Sequence, residues 1–166
     1  MKNILFGFFT LIFISGCVNQ AAFSPLSNEE RDFIYDYKIP GKTKKETYNN
    51  ARYFLATVYG DSKEITRIED EEQGLIIAKA QTRWHMNTGM ITVQCASTYS
   101  IHFIAKDDKA RLKLSIIDGG ARTPECGWSL PSKQGYPEVV ANLNLVAEEL
   151  RRAISGKSEL EELRNF

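Results

Sequence analysis

The chain has no excess charge of either sign, only two histidines and three cysteines, and no apolar run long enough to cross a bilayer. Each scarcity excludes something. Twenty-one basic residues balance 21 acidic ones at a pI near 6.7, which argues against a nucleic-acid partner, since that needs a basic excess or stripe to neutralise phosphates. The sequence holds no paired-cysteine motif, no His-Glu-x-x-His, no Gly-x-Ser-x-Gly elbow and no glycine-rich phosphate loop. No catalytic residue, metal site or cofactor is therefore assigned. The 166 residues allow one ordinary domain and little beyond it.

What is present begins at the N-terminus. Met1 and Lys2 supply a positive charge, Ile4 to Ile14 is an almost unbroken apolar run, and Ser15-Gly16-Cys17 closes it with small residues. As a helix that run reaches about 16 Å, against roughly 30 Å of hydrocarbon, so it reads as a secretory signal and not as a membrane span. Ile14-Ser15-Gly16-Cys17 resembles the lipobox of bacterial lipoproteins, which implies cleavage before Cys17 and acylation of its thiol. An ordinary signal cut after Ala21 or Ala22 is the competing reading. Val18 is not the aspartate of the enterobacterial inner-membrane retention signal, so the expected place is the cell envelope, on the periplasmic face of the outer membrane. The expected layout is a signal peptide over 1–16, a lipid-anchored tether over 17–30, a domain over 31–156 and a tail over 157–166. Without Lys2 the mature chain has 20 basic and 21 acidic residues, so net charge selects no partner.

With Cys17 assigned to lipid, Cys95 and Cys126 remain as an even pair in an oxidising compartment, and a structural disulfide is the economical reading. It would close a loop of about 30 residues and stabilise the fold by roughly 3–4 kcal/mol. A reactive or metal-binding thiol is the rival reading, but no second cysteine lies within four residues of either.

Along the chain, Phe33, Tyr35, Tyr37 and Ile39 alternate at period two and Pro40-Gly41 stops them, predicting a strand. Thr43 and Glu46 form a capping box for a helix with Tyr48, Ala51, Leu55 and Val58 inward, ended by Gly60. Lys63 to Glu69 and Leu75 to Trp84 flank the turn Asp70-Glu71-Glu72-Gln73-Gly74 and predict a hairpin. Ile91 to Phe103 predicts a strand with Ile91, Val93, Cys95, Tyr99, Ile101 and Phe103 on one face. Thr92, Gln94, Thr98, Ser100 and His102 take the other. A polar turn, Lys106 to Lys109, leads to Leu112, Leu114 and Ile116 alternating with Arg111, Lys113 and Ser115. After a loop to Gly135, Pro137 opens a second amphipathic helix through Val139, Val140, Leu143, Val146, Ala147, Leu150 and Ile154, stopped by Gly156. Ser158 and Glu161 suit the cap of a short further turn. The order β-α-β-β-β-β-α makes an α+β two-layer sandwich: about five antiparallel strands with helices on one face and the other face open.

Pro40-Gly41-Lys42-Thr43-Lys44 with Glu46, Tyr48, Ala51 and Phe54, then Ser62-Lys63-Glu64-Ile65, then Asp70 to Ile76, resemble an uncharacterised bacterial domain family with a TATA-binding-protein-like fold. The resemblance covers roughly residues 31 to 120. It implies a curved antiparallel sheet backed by helices. It carries no activity over, because the family has no established catalytic residues, and the fold label does not imply DNA binding. The cysteine pair and the Cys126 loop are not part of its pattern.

The candidate site is the open face: Thr92, Gln94, Thr98, Ser100, His102, Arg111 and Lys113 should gather there as hydroxyl, amide and cationic groups able to grip a protein or glycan of the envelope. Trp84, Trp128 and Tyr136, at strand ends and in the long loop, are candidates for a binding rim. Asp70, Glu71 and Glu72, like Asp61 and Glu64, lack the alternating oxygen ligands of a calcium loop. The expected function is a lipid-tethered, non-catalytic binding or assembly module. The alternative is a small periplasmic hydrolase or ligand-handling enzyme using His85 or His102 with an acid gathered by the fold.

Overall fold

The computed structural model describes residues 24–26, 31–60, 68–120 and 123–156. Cys17, the signal, most of the tether and the tail over 157–166 lie outside them, as does the suggested turn at Ser158.

Five strands form one antiparallel sheet: β1 (Asp32–Lys38), β2 (Ile68–Asp70), β3 (Leu75–Asn87), β4 (Thr92–Lys106) and β5 (Lys109–Ile117). Their order across the sheet is β1-β5-β4-β3-β2. Helix α1 (Lys44–Tyr59) connects β1 to β2, and α2 (Tyr136–Ile154) follows β5. Both pack on one face, as the alternation requires: Tyr37, Ala78, Trp84, Tyr99, Ile101, Phe103, Leu112 and Leu114 point into a single core with Leu55, Val139, Leu143, Leu150 and Ile154 of the helices.

The expected caps form. Thr43 Oγ1 accepts from the Glu46 N–H (3.2 Å) and the Glu46 carboxylate accepts from the Thr43 N–H (2.9 Å), satisfying two donors that the first turn of α1 cannot. Gly60 ends that helix at φ 61°. Val58, expected inward, is 44% exposed, and Phe54 and Thr47 take its place in the core. Ile91, expected on the inward face of β4, is also exposed, and the strand begins at Thr92. α2 enters through Pro137 and carries Arg151 and Arg152 in its last turn, where cations oppose the negative end of the helix dipole. It crosses the sheet obliquely. Its start lies against β3, where Asn142 Nδ2 donates to the Arg83 carbonyl (3.0 Å). Further along, Tyr35 of β1 donates to Asn144 (2.8 Å) and Tyr37 to the Ala147 carbonyl (3.0 Å).

Two regions depart from expectation. Pro25 and Leu26, expected in a structureless tether, are docked: Leu26 is buried, its N–H donates to the Pro131 carbonyl (3.0 Å), and Pro25 bridges to Ser132. An apolar leucine beside a loop with free backbone groups finds there both burial and a hydrogen bond. β3 also runs on past Trp84 to Asn87, because β4 pairs with it all the way to Thr92. The Cys95–Cys126 disulfide is formed, with Cα atoms 5.8 Å apart, and pins the loop after β5 to β4.

Candidate functional site

The strand register arranges the open face in rows. Nearest the β4–β5 turn, Lys38, Lys109 and Lys106 stand side by side on β1, β5 and β4. The next row is Asp36, Arg111, Ile104, Leu75 and Asp70. Then come Ile34, Lys113, His102, Ile77 and Ile68, followed by Asp32, Ser115, Ser100 and Lys79. Of the nine charged side chains in these rows, Asp32, Asp36 and Asp70 are acidic and the other six basic, so a neutral protein presents a basic patch among the described residues.

Ser100, His102, Arg111 and Lys113 come together as the alternation predicts, His102 directly opposite Lys113. Thr98 lies one row further along and is partly covered by the loop after β5: a Cβ on Gly120 would strike its side chain. Thr92 and Gln94 do not join the group. β5 ends at Ile117, opposite Thr98, so these two sit on a two-stranded extension opposite Asn87 and His85, Gln94 about 27 Å along the strand from His102.

Two of the cations are paired. Asp36 takes a bidentate pair of hydrogen bonds from Arg111 (2.6 and 2.8 Å), and Asp32 lies 3.0 Å from Lys113. These bonds hold the Asp36 carboxyl below the usual carboxylate range; Asp32 is lowered too, by hydrogen bonds from Ser115 and then Lys113. The face also carries apolar side chains that the reading missed: Ile34 is 58% exposed, Ile68 55% and Ile104 36%. Their signal was present in the sequence. Ile34, Ile77 and Ile104 fall on the polar phase of otherwise regular alternations.

The proposed rim breaks up. Trp84 is wholly buried in the core, its Nε1 donating to Ser97 (3.0 Å), and its ring lies so close to Gly135 that no Cβ fits there. Its even-numbered place on β3 puts it inward with Ala80 and Thr82. Tyr136 is half-buried and packed against the core. Trp128, also half-buried, lines with Arg31, Asp118 and Leu26 a depression of about 450 Å³ where the chain enters the domain.

His85 has an acid beside it: Nδ1 is 3.0 Å from Glu138 Oε1, while Glu138 Oε2 accepts the His85 backbone N–H (2.8 Å). Gln134 accepts the Asn87 N–H (2.8 Å) and Asn142 donates to the Arg83 carbonyl. Three side chains spaced four apart thus bond alternate residues of β3 where, among the described residues, no further strand pairs with it. This is protection of a sheet edge. Asp70 accepts from the Gln73 N–H (2.9 Å) and Glu71 lies 3.1 Å from Lys45, so the acids of that hairpin serve the turn and an ion pair. Asp61 and Glu64 lie outside the described residues. Among the described residues no three His, Cys, Asp or Glu side chains gather as a metal site would need.

The fold has relatives. It is similar to the crystal structure of a DUF4468 family protein from Bacteroides ovatus (TM-score 0.54, 10% identity, covering 76% of this chain and 90% of that one). It is also similar to a TBP-like protein from Parabacteroides distasonis (TM-score 0.57, 15% identity, 79% and 99%). At such identities the likeness is one of fold. No curated protein matches in sequence. The family model for the domain of unknown function (DUF4468) with TBP-like fold matches residues 33–118, all five strands and α1, and the chain belongs to that family.

Proposed function

We propose that the protein is a lipid-anchored module of the bacterial cell envelope that binds another envelope component through its open sheet face, without chemistry of its own. The observation that carries this reading is the face itself. It is covered by neither helix, and it gathers exposed isoleucines, ion pairs and hydroxyls side by side, groups that can give a partner both apolar and polar contact.

The anchor rests on the lipobox at Cys17. Acylation with more than one chain would make attachment essentially permanent. Because Leu26 is docked, only the links from Cys17 to Ser24 separate lipid from domain, a reach of at most about 25 Å. That is half the reach expected of a tether to residue 30, and it keeps the domain close to its membrane.

The test is photo-crosslinking in living cells from probes at His102 and Lys79, with Ala141 on the outer side of α2 as control, and labelled palmitate incorporation to follow Cys17. Capture of one discrete envelope protein or glycan from the open face alone is the expected result. Capture from nowhere, or equally from Ala141, would overturn the binding reading, and unchanged labelling of Cys17→Ser would overturn the anchor.

A further inference from the structure

Three lysines in one row are an unusual expense for a sheet. Lys38, Lys109 and Lys106 are cross-strand neighbours about 4.8 Å apart, and like charges placed directly opposite one another destabilise a pair of strands. Nothing among the described residues neutralises them, although acids are at hand in the same turn. Asp107 accepts the Lys44 N–H (2.7 Å) and Asp108 the Gly41 N–H (2.7 Å), so both carboxylates are turned to the start of α1, on the helical side. One and two rows further in, Arg111 and Lys113 each have an aspartate; this row has none. Between the rows lies a depression of about 260 Å³ lined by Lys106, Lys109, Arg111, Asp36 and Ile104.

We propose that this row receives an acidic, partly apolar polypeptide segment of the partner; the inference rests on the open-face reading and adds the partner's chemistry to it. The lysines are exposed, so each contributes only a weak, screened attraction, and a single carboxylate or phosphate would not be held. A multivalent anion is required. The neighbouring Ile104, Ile34 and Leu75 ask for apolar contact as well, which an acidic glycan does not supply. The anchoring membrane is also a poor occupant. The chain enters the domain beside Asp118, at the other end of β5, about 27 Å along the strand from Lys109.

The probe is a short synthetic peptide of alternating Glu and Leu, titrated into the full mature protein and followed by backbone amide shifts, beside the same peptide with Gln for Glu. The expected result is shifts confined to residues around Lys38, Ile104, Lys106 and Lys109, lost in the Gln peptide, weakened by salt, and about tenfold or more weaker in the triple variant K38E/K106E/K109E. Shifts elsewhere, equal binding of the Gln peptide, or sedimentation with phosphatidylglycerol vesicles in place of peptide binding would overturn it. The same triple variant in the crosslinking assay separates the two ideas. Undiminished capture from His102 leaves the open-face reading standing and sinks the lysine row, whereas no capture in the parent protein sinks the reading itself.

Discussion

Along β4 a step of one residue separates Phe103, fully buried, from Ile104, 36% exposed, and the same step separates Ile101 from His102. On the helical face the side chains are chosen for volume. Trp84 fills its site so fully that residue 135 must be glycine, and Tyr59 and Tyr99 meet hydroxyl to hydroxyl at 2.6 Å in a half-buried contact. On the open face they are chosen for partners. Arg111 and Lys113 there have aspartates, the three lysines of the end row have none, and exposed isoleucines stand among them. The open face is unevenly satisfied where the helical face is closely packed, and that contrast is what the binding proposal rests on.

The sharpest way to test that division is to damage one face and watch the other. Trp84→Ala removes the largest wholly buried side chain and should cost about 3–5 kcal/mol in urea unfolding. A loss below about 1 kcal/mol would mean that this end of the helical face is not close-packed. Next in size is the Cys95–Cys126 bridge: Cys126→Ala should cost roughly 2–4 kcal/mol by releasing the loop after β5, while the probe at His102 keeps its captured partner. Loss of capture at equal folded fraction would instead tie that loop to the site.

The contrast also explains what could be read from sequence. Period-two alternation in β4 and β5, the capping box at Thr43 and the stripe of α2 depend on near neighbours, and these were legible. Strand order was not. Asp32 and Asp36 neutralise Lys113 and Arg111 only because β1 pairs with β5, some 75 residues away in sequence, so the cations looked free. The expected strand ends at Trp84, but pairing with β4 carries β3 three residues further, with Met86 also buried, and sets the tryptophan deep. The lysine row is an intermediate case. Asp108 at φ 63° closes a two-residue turn that fixes Lys106 opposite Lys109, while Lys38 joins them only through tertiary pairing.

A smaller effect is expected at the sheet's edge. Glu138→Ala removes the acceptor of the His85 N–H and should cost about 1 kcal/mol, with faster hydrogen exchange at His85 and little change at Ile101 in the centre of the sheet. Dimers appearing in that variant would identify the exposed β3 edge as the reason three α2-side residues are committed to it.

The smallest effect should come from the open face's own ion pair. Asp36 and Arg111 are exposed, so Arg111→Gln should leave unfolding in urea nearly unchanged at neutral pH. Its signature belongs to titration. The hydrogen bonds from Arg111 lower the folded-state pKa of Asp36, so whatever stability they contribute is present above the ordinary carboxylate range and is lost as pH falls through the depressed folded value. Arg111→Gln should therefore return the Asp36 carboxyl resonance to the ordinary range and flatten that part of the acid limb, with the β1–β5 amide shifts otherwise preserved. If β1 instead detached, the pair would be holding the sheet together, and the open face would prove as much a part of folding as the helical one.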